Sequence, residues 1–145
     1  MMPKAAAGLF AYGSLMAPDI MRRACGHEGP SLPATLRNYF RGTILDETYP
    51  GIVSATGDNV AGLFYPDLTR SAIDRLDAFE GEMYQRVTVG VETATGHVSA
   101  QTYVIRPEFR HRVTSVPWTF DDFMRSGYRR FVADYGGFYE DEGVD

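Results

Sequence analysis

Glu80 is the residue of this sequence whose surroundings best fit acid–base chemistry. It stands at the end of a predicted helix, directly before Gly81, with Asp77 one turn earlier and Glu82 two residues later. The negative end of the helix dipole and both neighbouring carboxylates disfavour its ionised form, so we expect a raised pKa. A carboxylate with a raised pKa can act as a general base near neutral pH. The alternative is a solvated carboxylate at a helix end with no special role.

The loop at Gly13-Ser14 is a second candidate site. It follows an apolar run at residues 9–12, which predicts a buried strand, and precedes a predicted helix at residues 18–24 that Gly26 ends. The N–H groups of such a loop, with the positive end of the following helix, can hold an anion or a developing oxyanion. Glycine turns after strands are common, so an ordinary turn is the alternative reading.

The helix that carries Glu80 is predicted from its cap, its apolar face and its stop. Thr69 is a suitable N-cap, and the apolar residues Ile73, Leu76 and Phe79 recur at three-residue spacing. Gly81 fits the left-handed position that commonly ends a helix.

The remaining pattern predicts several strands and one more helix. Strands are expected at residues 32–45 (as one long bent strand or two short ones), 60–65, 84–92 and 98–105, the last two joined as a hairpin through residues 93–97. Turns are expected at residues 49–51 and 57–59, the strand at residues 60–65 is expected to end at residues 66–67, and residues 107–117 are interpreted as irregular. Residues 118–135 carry aromatic side chains at helical spacing, which we interpret as core packing. Because strands outnumber helices and most joins are short, we expect an α+β domain with a mixed, barrel-like sheet flanked by helices.

Composition excludes several classes of function. The chain has 145 residues, which suggests a single domain with its core at about residues 9–135 and an acidic tail at residues 139–145. A net charge of -5 argues against nucleic acid as a main partner. One cysteine and three scattered histidines predict neither a disulfide nor a metal site. No segment has the length of a membrane span or the pattern of a signal peptide, so we expect a cytoplasmic protein that does not bind membranes.

Two motifs together give the sequence a resemblance to a known family. Residues 10–16 (FAYGSLM) and residues 76–81 (LDAFEG), followed by Tyr84 and Arg86, resemble the gamma-glutamylcyclotransferase superfamily. The closer resemblance is to its branch of gamma-glutamylamine cyclotransferases and plant avirulence-induced-gene-like proteins, which residues 49–53 and 60–64 also resemble. The resemblance covers roughly residues 9–106, and the two main motifs in this order and separation are much more specific than either alone.

The resemblance implies a fold, an activity and a set of site residues. The fold is a small barrel of mixed strands with helices packed around it. The activity is cleavage of a gamma-glutamyl amide by internal attack of the alpha-amine on the gamma-carbonyl, which releases 5-oxoproline and a free amine without a cofactor. The implied site consists of Glu80 as the catalytic acid and base, with Tyr12, Gly13, Ser14, Leu15 and Tyr84 as substrate-binding residues. Leu15 stands where glutathione-directed members often have asparagine, which favours gamma-glutamyl amines as substrates.

Two other classes of function compete with this reading. A non-catalytic ligand-binding or stress-response module would keep the fold and pocket, with Glu80 absent or turned away, whereas the sequence retains Glu80. A cysteine hydrolase using Cys25 and His27 would need nucleophile and base two residues apart at a helix end, which is a poor geometry. We expect a small gamma-glutamyl compound as the partner and a monomer or a weak homodimer.

Overall fold

Residues 7–134 are described by a computed structural model, and they form one mixed sheet with helices packed against it. The strands are β1 (Ala7–Ala11), β2 (Leu32–Ile44), β3 (Pro50–Leu68), β4 (Tyr84–Thr93), β5 (Gly96–Ile105) and β6 (Val113–Pro117). The helices are α1 (Pro18–Cys25), α2 (Arg70–Glu80), α3 (Phe120–Asp122) and α4 (Tyr128–Asp134). Short 3₁₀ turns lie at Ser14–Met16 and Pro107–Arg112, and a π-helical turn at Phe123–Gly127 joins α3 to α4.

The sheet closes into a ring. Its order is β3-β1-β5-β4-β2-β6, and β3 also pairs with β2, so five strands close on themselves while β6 extends from β2. The β1–β5 pair is parallel and the other pairs are antiparallel. This confirms the predicted α+β class with a mixed sheet flanked by helices, and the sheet is best described as a closed, ring-like one.

Two clusters of buried side chains hold the strands and helices together. The smaller cluster draws on all five ring strands and includes Phe10, Leu36, Ile52, Val91 and Ala100. The larger cluster packs α1, α2 and the C-terminal helical segment against the sheet. Within it, Phe123 and Phe131 are almost fully buried, which confirms the interpretation of the C-terminal aromatic residues as core packing.

The strand β3 corrects two predicted turns and one predicted strand end. It begins at Pro50, so the predicted turn at residues 49–51 is wrong; the chain reverses just before, where Asp46 adopts a positive φ of 66°. Proline is tolerated at the first residue of a strand, where its missing N–H matters least. The expected turn at residues 57–59 is a bulge inside β3, where the Gly57 N–H donates to the Asn38 side chain at 3.0 Å. The strand also continues past the predicted stop at residues 66–67, because Leu68 pairs with Ala7 of β1.

The segment after β5 is more regular than predicted. Residues 107–117 contain a 3₁₀ turn and β6, which pairs with β2 through Ile44 and Val113. The helix expected at residues 118–135 begins at Phe120, where the Thr119 hydroxyl accepts from the Asp122 N–H at 3.1 Å. Residue 135 and the acidic tail at residues 139–145 lie outside the described residues. No helix within residues 7–134 is both long and apolar enough to cross a membrane.

Candidate active site

One cavity contains all six residues that the resemblance implies. Its empty volume is about 510 Å³, part of it open to solvent, and it is lined by Tyr12, Gly13, Ser14, Leu15, Glu80 and Tyr84. Sequence reasoning did not assign the rest of its lining, which includes Tyr49, Pro50, Phe79, Tyr103 and Phe131.

Helix α2 brings Glu80 to this cavity as its last residue. The helix begins at the predicted N-cap, where the Thr69 hydroxyl accepts from the Ala72 N–H at 3.1 Å. It ends at Gly81, whose N–H donates to the Asp77 carbonyl at 3.2 Å. Gly81 has φ 79° and ψ -165°, so it is not in the left-handed helical conformation that we expected. That backbone conformation is open almost only to glycine, and here it turns the chain from α2 toward β4.

The pKa of Glu80 is raised, as expected, but the main cause of the shift differs from the expected one. Burial of the carboxyl group, followed by the negative charge of Asp77, raises the pKa of Glu80 from 4.5 to about 8. Glu82, which we expected to contribute, is not among the causes. Among residues 7–134, none donates a hydrogen bond to the Glu80 carboxylate, so no described group competes with a substrate for it. Such a group can hold a proton near neutral pH and exchange it with a bound amine.

Asp77 is anchored to the cavity wall through Tyr103. The Tyr103 hydroxyl donates to Asp77 Oδ1 at 2.7 Å, and Arg86 Nε donates to the same oxygen at 2.9 Å. Burial alone would raise the pKa of Asp77, but these two hydrogen bonds and the charge of Arg86 hold it below its ordinary value. Asp77 is therefore ionised at neutral pH, one turn before Glu80.

The loop after β1 presents polar groups to the cavity. A 3₁₀ turn follows Gly13, with Met16 N–H donating to the Gly13 carbonyl at 2.9 Å, and α1 begins only at Pro18. Helix α1 therefore begins where we predicted it, with the 3₁₀ turn between it and Gly13. The N–H groups of Gly13, Ser14 and Leu15 donate to no acceptor within residues 7–134, and the Ser14 hydroxyl has no hydrogen-bond partner there. Because Ser14 is nearly buried, these groups are suited to binding an anionic or carbonyl oxygen of a ligand.

The two tyrosines expected at the site are parts of its wall. The Tyr12 hydroxyl donates to the carbonyl of Tyr103, and burial raises the pKa of Tyr12 well above its ordinary value, as does the nearby Glu80. The Tyr84 hydroxyl donates to the Pro50 carbonyl at 2.7 Å. Both hydrogen bonds join different strands, so the two side chains hold the cavity in shape as well as facing it.

The cavity residues that sequence reasoning missed come from strands and helices far apart in the sequence. Tyr103 lies opposite Arg86 in the β4–β5 pair, and strand alternation could have placed it on one face of the sheet. Its contact with Asp77 depends on how α2 packs, which no local pattern reveals. Phe131 was assigned to the core, and it also lines the cavity, where its ring lies 6.3 Å from that of Phe79.

Cys25 and His27, the residues of the cysteine hydrolase alternative, do not line this cavity. Cys25 is buried, and burial raises its pKa, which is the opposite of what a nucleophilic thiolate needs. The His27 ring packs edge-on against Tyr65, with ring centroids 5.7 Å apart.

Comparison with known proteins gives the same family that the motifs indicated. The model of the family "Gamma-glutamyl cyclotransferase, AIG2-like" matches residues 9–120. AIG2-like protein D of Arabidopsis thaliana is 33% identical over 99 residues, which span 66% of this chain and 65% of that protein, slightly under two thirds of its length.

Solved structures support the same fold. A solution structure of an Arabidopsis thaliana protein is 26% identical, covers 94% of this chain and 84% of its own, and has a TM-score of 0.69. A gamma-glutamyl cyclotransferase shares the fold at 20% identity, over 71% of this chain and 73% of its own, with a TM-score of 0.58. The matched residues contain both motifs and all six expected cavity residues, so the chain belongs to the AIG2-like gamma-glutamyl cyclotransferase family.

Proposed function

We propose that this protein is a gamma-glutamyl cyclotransferase that releases 5-oxoproline and a free amine from a gamma-glutamyl amine or peptide. One observation carries the proposal: two complementary groups share one cavity. The first is the Glu80 carboxyl group, which holds its proton to about pH 8, and the second is a loop of available N–H groups. Family membership supports the same reaction class.

In the proposed reaction, Glu80 transfers protons from the alpha-nitrogen of the substrate to the nitrogen that departs. Its carboxylate accepts a proton from the alpha-ammonium of the substrate, and the freed lone pair attacks the gamma-carbon. A carbon–nitrogen bond forms and the carbonyl oxygen becomes an oxyanion. When the oxyanion collapses, the gamma-amide bond breaks and Glu80 gives its proton to the departing nitrogen. The ring nitrogen then loses its second proton to the regenerated Glu80 carboxylate, which passes it to the released amine, so that 5-oxoproline and the protonated amine leave. No water and no co-reactant is consumed.

The cavity residues would contribute by holding the substrate folded for ring closure. Effective molarities of about 10⁵–10⁸ M are reached when reacting groups are well oriented within one molecule, so orientation supplies much of the rate. The N–H groups of Gly13, Ser14 and Leu15 are suited either to the oxyanion or to the alpha-carboxylate of the substrate. Tyr12 and Tyr84, tied to opposite parts of the wall, keep the loop and Pro50 in place.

The alternative is a non-catalytic small-molecule-binding or stress-response module of the same fold. The separating experiment is a screen of gamma-glutamyl amines, gamma-glutamyl dipeptides and glutathione for 5-oxoproline release by the purified protein. We expect release from at least one class. Binding of these compounds without release of 5-oxoproline would contradict the enzymatic proposal and favour the module.

The cytoplasmic location and the monomer or weak homodimer stay predictions from the sequence. A small gamma-glutamyl compound is proposed as the partner because it is the substrate of the proposed reaction.

A further inference from the structure

Asp77 accepts hydrogen bonds from residues of two strands, one turn before α2 ends at Glu80 in the cavity. Tyr103 of β5 donates to its Oδ1 atom at 2.7 Å, and Arg86 of β4 donates to both of its oxygens, at 2.9 Å and 3.4 Å. The two donors are direct register partners in the β4–β5 pair. These hydrogen bonds therefore connect the last turn of α2 to two adjacent strands.

The donors are themselves held by further contacts, while the Arg86 and Asp77 side chains are 30% and 41% exposed. Arg86 also donates to the Gln101 side chain at 2.7 Å, and Gln101 in turn donates to Thr88 at 2.7 Å. Tyr103 is almost fully buried and lines the cavity. Arg70 and Asp74, on the same helix, make a simpler contact at 3.2 Å, with 77% and 61% of their side chains exposed. An exposed pair of that kind contributes little.

We propose that Asp77, held by Tyr103 and Arg86, is a positioning residue that fixes the end of α2 and places a permanent negative charge beside Glu80. The inference rests on the proposed function, in which Glu80 carries the proton. Asp77 does not line the cavity, so it acts through Glu80 and does not touch the substrate.

Other titratable groups line the cavity as well, and burial raises the pKa of two of them, Tyr12 and Tyr103. Apart from Glu80, the titratable residues within 7–134 that line the cavity are four tyrosines, Tyr12, Tyr49, Tyr84 and Tyr103. Phenols ordinarily ionise near pH 10. The C-terminal helical segment contributes an uncharged ring, that of Phe131. The nearby cation Arg41 donates hydrogen bonds to the backbone carbonyls of Tyr12, Ala61 and Trp118.

Among the residues that the structure describes, Asp77 therefore supplies the negative charge that acts on Glu80 between about pH 5 and 8. A fixed negative charge disfavours ionisation of a neighbouring carboxyl group, so Glu80 keeps its proton to higher pH and is a stronger base once ionised. Removing the charge should make Glu80 ionise at lower pH and accept a proton less readily.

The variant Asp77→Asn tests this, because asparagine keeps the shape and an oxygen for Tyr103 but loses the charge. Two readouts are required: titration of the Glu80 side-chain carbon by NMR in the free protein, and the pH profile of kcat/KM for a gamma-glutamyl amide. We expect the Glu80 titration and the ascending limb of the profile to move together to lower pH by at least about half a unit. The rate on the high-pH plateau should fall by up to about threefold for each half unit of this shift.

The matched control is Asp74→Asn, the same chemical change one turn earlier on the same helix. It should leave both the titration and the profile in place. A second variant, Asp77→Glu, restores the charge and should return the Glu80 titration toward its wild-type position.

An unmoved Glu80 titration in folded Asp77→Asn would overturn the inference, even if activity fell, because a purely structural role predicts lost rate without a shifted profile. The NMR titration needs no turnover. If the wild-type protein released no 5-oxoproline from any substrate, the proposed function would fail, while the coupling of Asp77 to Glu80 would still be decided by the titration.

Discussion

Pro50 packs against Gly13 so closely that a Cβ atom added at Gly13 would lie 2.9 Å from the Cδ atom of Pro50. Pro50 is buried, and its carbonyl accepts a hydrogen bond from Tyr84, so it is not free to move aside. The close approach of the proline ring leaves no room for a side chain at Gly13.

The variant Gly13→Ala should therefore disturb the loop. We expect kcat/KM to fall at least tenfold, because displaced N–H groups no longer meet the substrate, with a stability cost of about 1–3 kcal/mol from overpacking. Steady-state kinetics and thermal melts measure both effects. Gly90→Ala is the control, since a Cβ there meets nothing within 4 Å. Wild-type kinetics in Gly13→Ala would mean that the loop does not need its present position.

Replacing Glu80 by glutamine should abolish turnover and leave the fold intact. Glutamine keeps the size and an oxygen but accepts no proton at neutral pH, so we expect a loss of at least about 10²–10⁴-fold in kcat. The loss should be visible in 5-oxoproline release, with circular dichroism to show that the protein is folded. Retained turnover in a folded Glu80→Gln protein would remove Glu80 from the mechanism.

The same variant should be more stable than the wild type above about pH 5. The pKa of Glu80 is raised on folding, so the stability linked to its proton is present below the ordinary pKa of 4.5 and is lost as the pH rises to about 8. Glutamine has no proton to lose. Melting temperatures across pH 4–8 should therefore diverge, with the variant higher at pH 8. Parallel curves would show that Glu80 is not buried as a protonated group.

The wild-type pH profile should report the same group. Because ionised Glu80 is the base, kcat/KM, corrected for ionisation of the substrate amine, should rise with pH and level off above about 8. Rates measured from pH 5 to 9.5 on one gamma-glutamyl amide give the profile. An ascending limb near pH 4.5 would indicate a carboxylate with an ordinary pKa and would contradict the role of burial.

Gamma-glutamyl amines should be better substrates than glutathione. Leu15 is nearly buried, and its carbonyl accepts a hydrogen bond from Tyr65 at 2.9 Å, so it offers the cavity an apolar side chain where glutathione-directed relatives often have asparagine. No basic residue is present in the described lining to pair with the additional carboxylate of glutathione. Competition between gamma-glutamyl-ethylamide and glutathione, followed by 5-oxoproline release, measures the preference. Equal or faster turnover of glutathione would contradict it.

Features that depend on neighbours in the chain could be predicted from the sequence. The limits of α2 follow from the Thr69 cap and Gly81, and the end of α1 follows from Gly26, because these residues satisfy or terminate helical hydrogen bonds locally. The two motifs, read together, led to the family and to six residues that do share one cavity. Strand alternation similarly located the β4–β5 hairpin.

Features that depend on pairing and burial were decided only by the tertiary structure. Residues 49–51 and 57–59 carry turn signals, yet Pro50 and Gly51 pair with β2, and residues 57–59 form part of a bulge within β3. Asp77 was expected to act on Glu80 through the helix alone, whereas its fixed position comes from Tyr103 and Arg86 on two strands. The raised pKa of Glu80 could be predicted in direction from nearby charges, but its main cause is burial, and burial exists only once α2, the loop after β1 and the β4–β5 hairpin enclose the carboxyl group.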